Sequence, residues 1–296
     1  MKALIIGGNR FFGLRLAKQL VKEGHPVTLL NRGQVDDGLG EDVDRLVCDR
    51  TDTRLFKEVV EDHSWDVVFD QVCFDYEQAK STCEIFKNKT QRLIFTSSMS
   101  VYSLGENIPE TEFDPKTYQF TEKVTRSQDY AEGKRQAEVA YFKYADFPVT
   151  SVRLPIVFGK DDYTGRFAFH IEHIINNEPI FFSNLSSKLS LIRSDIAAEL
   201  LLRLSIIDFS GPINIACSSP LSLREYMQLI ETKFDQKMIL SQIPKDEAQS
   251  PWGVPETWTM DLSKAHDLRL PTPDTKELFS ESLNEPVEHP TRSLDE

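Results

Sequence analysis

A chain of 296 residues with 40% apolar and 27% charged side chains has the composition of a folded protein and can form one large domain or two modest ones. Its 34 basic and 47 acidic residues give a net charge of −13, which repels nucleic-acid phosphates unless the basic residues cluster, and 15 Pro and 13 Gly without a period exclude collagen-like or low-complexity architecture. No apolar run approaches the roughly 20 residues that span a bilayer, and the Ala3–Ile6 run reaches glycine too early for a signal-peptide core.

In chain order, Ala3–Ile6, Val27–Leu30, Leu46–Cys48, Val67–Phe69, Leu93–Thr96 and Val149–Leu154 read as strands: short apolar runs bounded by Gly, Asn, Asp or Pro. Helical stretches lie between them. Phe12, Leu16 and Leu20 recur every four residues, and Thr53–Glu61 and Glu77–Lys87 are further helices. Strand–helix alternation predicts a parallel sheet covered on both faces, and strands without polar alternation fit burial on both sides. Beyond Leu154 the pattern loosens to a helix over Arg166–Asn176, a strand at Leu189–Ile192, a helix capped by Ser194, a strand at Ile213–Ala216 and a helix opened by the capping-box spacing Ser222–Glu225. The residues from Pro271 read as an acidic surface tail with little core.

Cys48, Cys73, Cys83 and Cys217 have no metal-like spacing and read as reduced thiols of a cytoplasmic protein. His170 and His173 share a helix face without further ligands, so a polar helix face is expected and no metal site.

The first strand runs into Gly7-Gly8-Asn9-Arg10-Phe11-Phe12-Gly13, a glycine turn opening a helix. Such a turn lets backbone N–H groups meet a pyrophosphate, so Gly7, Asn9, Arg10, Phe11, Phe12 and Gly13 are candidate cofactor-binding residues. The second strand ends at Asn31, followed by Arg32, where an NAD-binding chain usually carries an acid for the ribose hydroxyls. Arg10 and Arg32 near this point predict NADP in preference to NAD, and Asp49 is a candidate adenine-edge contact.

The fifth strand ends in Thr96-Ser97-Ser98-Met99-Ser100-Val101-Tyr102, and Tyr130-Ala-Glu-Gly-Lys134 follows. Tyr and Lys four apart share a helix face, where the ammonium lowers the cost of a phenolate that moves a proton to or from a substrate oxygen. A serine at a strand end can bind the same oxygen. A second pair, Tyr76 and Lys80, precedes the serine strand and reads as a surface helix turn. Gly133 costs its helix about 1 kcal/mol relative to Ala, so it either permits close approach to the cofactor or is exposed.

These pieces, with Arg153-Leu-Pro-Ile-Val-Phe-Gly159, Ser194-Asp195-Ile-Ala-Ala and Pro212-Ile-Asn-Ile-Ala, resemble the extended short-chain dehydrogenases/reductases, the NAD-dependent epimerase/dehydratase superfamily. The resemblance implies a Rossmann doubly wound parallel sheet and a smaller, mostly helical C-terminal substrate domain. It makes Ser98 the polarising serine, Tyr130 the acid/base, and Lys134 both the ribose contact and the tuner of Tyr130. It also places Pro155, Ile156 and Val157 by the nicotinamide. Arg10 within the glycine run and Asn31-Arg32-Gly33 are most similar to an atypical branch that includes chloroplast stem-loop RNA-binding proteins.

Dehydratases of the superfamily carry two acids before the Val-Tyr pair, where this chain has Met99 and Ser100, so dehydration is disfavoured. The arginine that clamps the diphosphate of sugar nucleotides is replaced by Lys188, with Arg166 and Arg193 as other candidates. The expected activity is an NAD(P)-dependent oxidoreductase or epimerase acting on a secondary alcohol or ketone of a small molecule, a sugar nucleotide among the candidates. The alternative is a non-catalytic nucleotide- or RNA-binding member, against which the acidic charge argues. Expected partners are the small-molecule substrate and a second copy in a homodimer. The expected division is 1–159 with 188–217 for the dinucleotide and 160–187 with 218–296 for the substrate. The cleft between them would hold the substrate, with Trp252 and Trp258 lining it or packing the smaller lobe.

Overall fold

The structure, a computed structural model, describes residues 1–286. They divide into two compact units: residues 1–103, 110–154 and 195–215, and residues 104–109, 155–194 and those from 216 onward. Residues 155–159 and 188–194, read from the sequence with the sheet, fall in the second unit.

The first unit is a seven-stranded parallel sheet. Its strands are β1 (Ala3–Ile6), β2 (Val27–Asn31), β3 (Asp44–Val47), β4 (Trp65–Asp70), β5 (Thr90–Ser98), Val149–Leu154 and Gly211–Asn214. From one edge the order runs β3, β2, β1, β4, β5, Val149–Leu154, Gly211–Asn214, every neighbour parallel. The order reverses between β1 and β4, where a doubly wound sheet opens a crevice at its strand ends. Helices α1 (Phe11–Lys22), α2 (Thr53–Val59), α3 (Tyr76–Ile85) and α4 (Tyr130–Tyr144) connect the strands. A continuous apolar core joins β1, β4 and β5 to α2, α3 and α4 through Leu4, Val68, Phe95, Phe56, Cys83, Phe86 and Ala140. Burial of side chains this size contributes roughly 1.5–3 kcal/mol each. This is the fold that the alternating pattern and the family resemblance predict.

α4 is pressed onto the chain that leaves β4. A Cβ on Gly133 would overlap the backbone carbonyl oxygen of Phe74, so the glycine is a packing requirement. It is buried, not exposed, and its close approach is to Phe74. Tyr76, read as a surface residue, is buried with its hydroxyl 2.7 Å from that of Tyr144, while Lys80 pairs with Glu84.

In the second unit, the strand expected over Leu189–Ile192 is two, Lys188–Leu189 and Leu191–Arg193. Ser190 breaks it: its hydroxyl accepts from the Met260 amide at 3.1 Å. Lys188–Leu189 pairs with Leu221–Ser222 and with Trp258, and Leu191–Arg193 pairs with Ile156–Phe158. The helices of this unit include α5 (Arg166–Ile175) and α7 (Leu223–Phe234), the latter with the full capping box of Ser222 and Glu225, whereas α6 (Ser194–Ile206) belongs, apart from Ser194, to the first unit.

The chain after Pro271 is not a bare surface tail. A helix over Thr275–Ser282, capped by Asp274, places Phe279 fully buried against Phe158, Phe167, Tyr226 and Trp252, with ring centroids 5.0–6.0 Å apart. Alternating polar residues hid one aromatic that the second unit needs. The rest of the expected tail, 287–296, lies outside the described residues.

His170 is also core, not a polar helix face. Its Nδ1–H donates to the Arg166 carbonyl (2.9 Å), and its Nε2 accepts from the Ser250 hydroxyl (2.8 Å). That arrangement needs the neutral ring, and burial pushes the His170 pKa down to about 3. Among the described residues no group of three or more His, Cys, Asp or Glu could hold a metal ion, and no helix is long and apolar enough to cross a membrane.

Two outcomes are expected. Gly133→Ala destabilises by roughly 1–3 kcal/mol in urea unfolding, because overpacking exceeds the gain of about 1 kcal/mol in helix propensity. Below about pH 6.5 the unfolded chain binds a proton at residue 170 that the native chain refuses until about pH 3. Stability is therefore lost as pH falls through that window, at about 1.4 kcal/mol per pH unit, and unfolding of His170→Gln across it lacks this component.

Candidate active site

The glycine turn sits at the C-terminal end of β1, beside the point where strand order reverses. Gly7 and Gly8 adopt φ of +98° and +76°, which side-chain-bearing residues rarely take, and a Cβ on Gly8 would overlap Ile5. Gly13 faces the chain after β4, where a Cβ would overlap Gln71 Oε1. Arg10 stands at the N-cap of α1 and Phe11 has a left-handed φ of +52°, while Asn9 and Phe12 are half-buried in the same turn. The N-cap residue of α1, Arg10, makes no side-chain capping bond and no acid lies in the first turn, whereas Asp52, Asp75 and Asp129 cap α2, α3 and α4. A helix N-terminus without a carboxylate keeps its partial positive charge for an anion.

At the end of β2, Asn31 Oδ1 accepts from the Gly33 amide (2.8 Å), so the side chain holds its own turn. Arg32 is exposed. Asp49, after β3, accepts from the Thr51 amide (2.9 Å) and hydroxyl (2.7 Å). The Thr51 groups hold its carboxyl below the usual range, and Arg32 and Arg50 add to the effect.

Lys134 is fully buried on α4. Its ammonium donates to the carbonyls of Cys73 (2.7 Å) and Thr96 (2.8 Å), and lies 5.9 Å from the Tyr130 ring centroid. Burial lowers its pKa, opposed by Tyr130, Cys73 and Asp70. Tyr130, the first residue of α4, is 41% exposed beside Phe74. Ser98 closes β5 two residues beyond the Thr96 carbonyl, and its half-buried hydroxyl accepts from the Ser100 amide (3.1 Å). One lysine thus ties the ends of β4 and β5 to the helix that carries the tyrosine.

Two buried networks back this arrangement. Asp70, at the end of β4, accepts from Arg50 (2.6 Å) and Tyr141 (2.6 Å). Arg153 donates to Glu138 (2.7 and 3.0 Å), one turn beyond Lys134, and to the Tyr102 hydroxyl (2.7 Å), while Ser97 donates to Glu138 (2.6 Å).

The remaining candidates belong to the second unit. Pro155 and Val157 are buried, Val157 paired with Ile192. Arg166 opens α5 and donates to Thr164 (2.9 Å), Lys188 pairs with Glu106 (3.2 Å), and Arg193 pairs with Glu281 (2.8 Å).

Residues 3–204 match the NAD dependent epimerase/dehydratase family. The chain belongs to that family. It is 34% identical over 132 residues to the chloroplast stem-loop binding protein of 41 kDa b of Arabidopsis thaliana, covering 39% of this chain and 35% of that protein. It is 27% identical over 197 residues to a UDP-N-acetyl-alpha-D-glucosaminuronate decarboxylase of Bacillus cytotoxicus, covering 59% and 60%. The chain thus spans less than two thirds of either relative. In fold it is similar to UDP-glucose 4-epimerase of Thermus thermophilus in complex with NAD, with a TM-score of 0.75, 16% identity, and 96% and 98% of the two chains covered.

These comparisons correct the expected preference for NADP. Structures similar in fold, among them the Thermus thermophilus epimerase and the UDP-glucuronic acid 4-epimerase of Bacillus cereus, are complexes with NAD. The local reason is electrostatic. The sequence reading counted Arg32 as a phosphate ligand, but the Asp49 carboxylate stands within its field and would repel a 2′-phosphate placed there. The residues present fit a dinucleotide: a glycine turn, an α1 whose N-cap residue makes no side-chain capping bond, and a buried side-chain amide donor at Gln71 without a partner among the described residues.

Proposed function

We propose that this chain is an NAD-dependent epimerase or oxidoreductase acting on a sugar nucleotide. The observation that carries the reading is the desolvated Lys134 ammonium, pinned by two strand-end carbonyls one helical turn from the accessible Tyr130. An ammonium has three donors; two are committed to carbonyls, and the third serves the phenolate or a ribose hydroxyl. In a dry site the positive charge lowers the cost of ionising Tyr130. Tyr130 then takes the proton of a substrate hydroxyl, while Ser98 donates to the same oxygen and holds it in place. NAD, when bound, supplies a hydride acceptor at its nicotinamide. Gly7 to Gly13 and the N-terminus of α1 hold its pyrophosphate, Asp49 the adenosine side and Lys134 the second ribose. Met99 and Ser100 place no acid beside the substrate, so the chemistry stays with hydride and proton transfer rather than loss of water.

The sugar-nucleotide class is supported by relatives that include a UDP-glucose 4-epimerase of Lactobacillus helveticus and a UDP-glucuronic acid 4-epimerase of Bacillus cereus. Lys188 is held by the exposed Glu106, and a surface pair worth about 0–1 kcal/mol exchanges readily for a diphosphate. A second reading, RNA binding, is favoured by the 34% identity to the stem-loop binding protein. Tight stem-loop RNA binding at physiological salt, with no turnover of any UDP-sugar, would replace the first reading by the second.

With NAD and a panel of UDP-sugars, Tyr130→Phe is expected to lower kcat by about 10²–10⁴ while NAD affinity stays within threefold. NADH is expected to bind more tightly than NADPH, and in Asp49→Asn the gap narrows. Both are read by nicotinamide fluorescence titration.

A further inference from the structure

Gln71 directly follows β4, and its amide N–H donates to the Ile6 carbonyl at 3.2 Å, which fixes its backbone beside the end of β1. Gln71 and Val72 lie across the glycine turn. A Cβ on Gly7 would stand 3.0 Å from Val72 Cγ1, and one on Gly13 would overlap Gln71 Oε1. The Gln71 side-chain oxygen therefore reaches the first turn of α1, whose N-cap residue makes no side-chain capping bond. Its Nε2 is buried and donates to nothing among the described residues.

The polar side chains of Asp70 and Gln78 on either side of this segment are engaged elsewhere. Asp70 accepts from Arg50 and Tyr141, and Gln78 accepts from the Phe74 amide at 3.0 Å. A buried donor left unpaired is costly, and an aliphatic side chain of the same size would avoid that cost. An amide kept at this position, its oxygen against Gly13 in the first turn of α1 and its donor without an acceptor among the described residues, calls for an acceptor that arrives with a ligand. The acceptor that such a helix end attracts is an anionic oxygen.

We propose that Gln71 is a cofactor-binding residue whose side-chain amide donates to a pyrophosphate oxygen of the dinucleotide. The assignment rests on the NAD reading above and adds to it a neutral, directional contact from the strand opposite the glycine turn. A carboxylate here would face the phosphates with like charge, and an aliphatic residue would offer shape without a donor.

The test is calorimetric titration of the full chain with NAD and with ADP-ribose, which keeps the pyrophosphate and lacks nicotinamide. Gln71→Leu is expected to weaken both ligands by about tenfold, the usual value of one hydrogen bond to a charged acceptor. Gln71→Glu is expected to weaken them further. The ligand-free melting temperature of Gln71→Leu should be equal to or above that of the wild type, since an unpaired donor has been removed. Wild-type binding of NAD with an affinity of Gln71→Leu within twofold overturns this assignment and leaves the NAD reading standing. A loss seen for NAD but not for ADP-ribose also overturns it, because the contact would then lie on the nicotinamide side. Absence of NAD binding by the wild type overturns both.

Discussion

An ammonium group removed from water is the constraint around which the first unit is arranged. Lys134 reaches a place where it donates to two backbone carbonyls and lies over the Phe74 and Phe95 rings. Burying a charge is affordable only with good partners, and the Cys73 and Thr96 carbonyls come from two adjacent strand ends. For the lysine to reach both, α4 must sit closer to the 73–74 segment than a side chain at position 133 would permit. The glycine, the lysine and the exposed tyrosine at the helix start are parts of one geometric requirement.

The two buried ion networks serve the same arrangement. Asp70 lies three residues before Cys73, and Glu138 lies one turn beyond Lys134. Neither network is a strong source of net stability, because desolvation consumes most of what attraction returns. Their directional bonds instead fix α3 and α4 against the ends of β4 and β5. Arg153 alone joins Glu138, Tyr102 and the carbonyls of Glu110 and Phe113. The chain leaving β5 is thereby held in the register that presents Ser98.

Much of this was legible from local pattern. The strands of the sheet appear within about three residues of where apolar runs and turn residues place them, and the Ser222 capping box forms as spaced. The glycine turn and the Tyr130–Lys134 pair could be read because their chemistry depends on fixed spacings within one element. What failed depended on partners distant in sequence. Nothing near Phe279 tells that it closes an aromatic cluster, and nothing near Gly133 names Phe74. Arg32 was read as a phosphate ligand because Asp49 meets it only through the pairing of β2 with β3. Gln71 follows Asp70 as an ordinary polar strand end, and its value depends on the orphaned donor that only the fold reveals.

The late position of Phe279 has a consequence for the chain as it leaves the ribosome. Every strand of the first unit has been made once residue 214 emerges, so that sheet can close early. The second unit has by then presented Phe158 and Phe167, but Tyr226, Trp252 and Phe279 are still to come. Chains are synthesised at roughly 5–20 residues per second. For several seconds the nascent protein therefore carries one finished unit and a set of exposed aromatic rings. In that interval the rings that later pack on Phe279 lack their last partner.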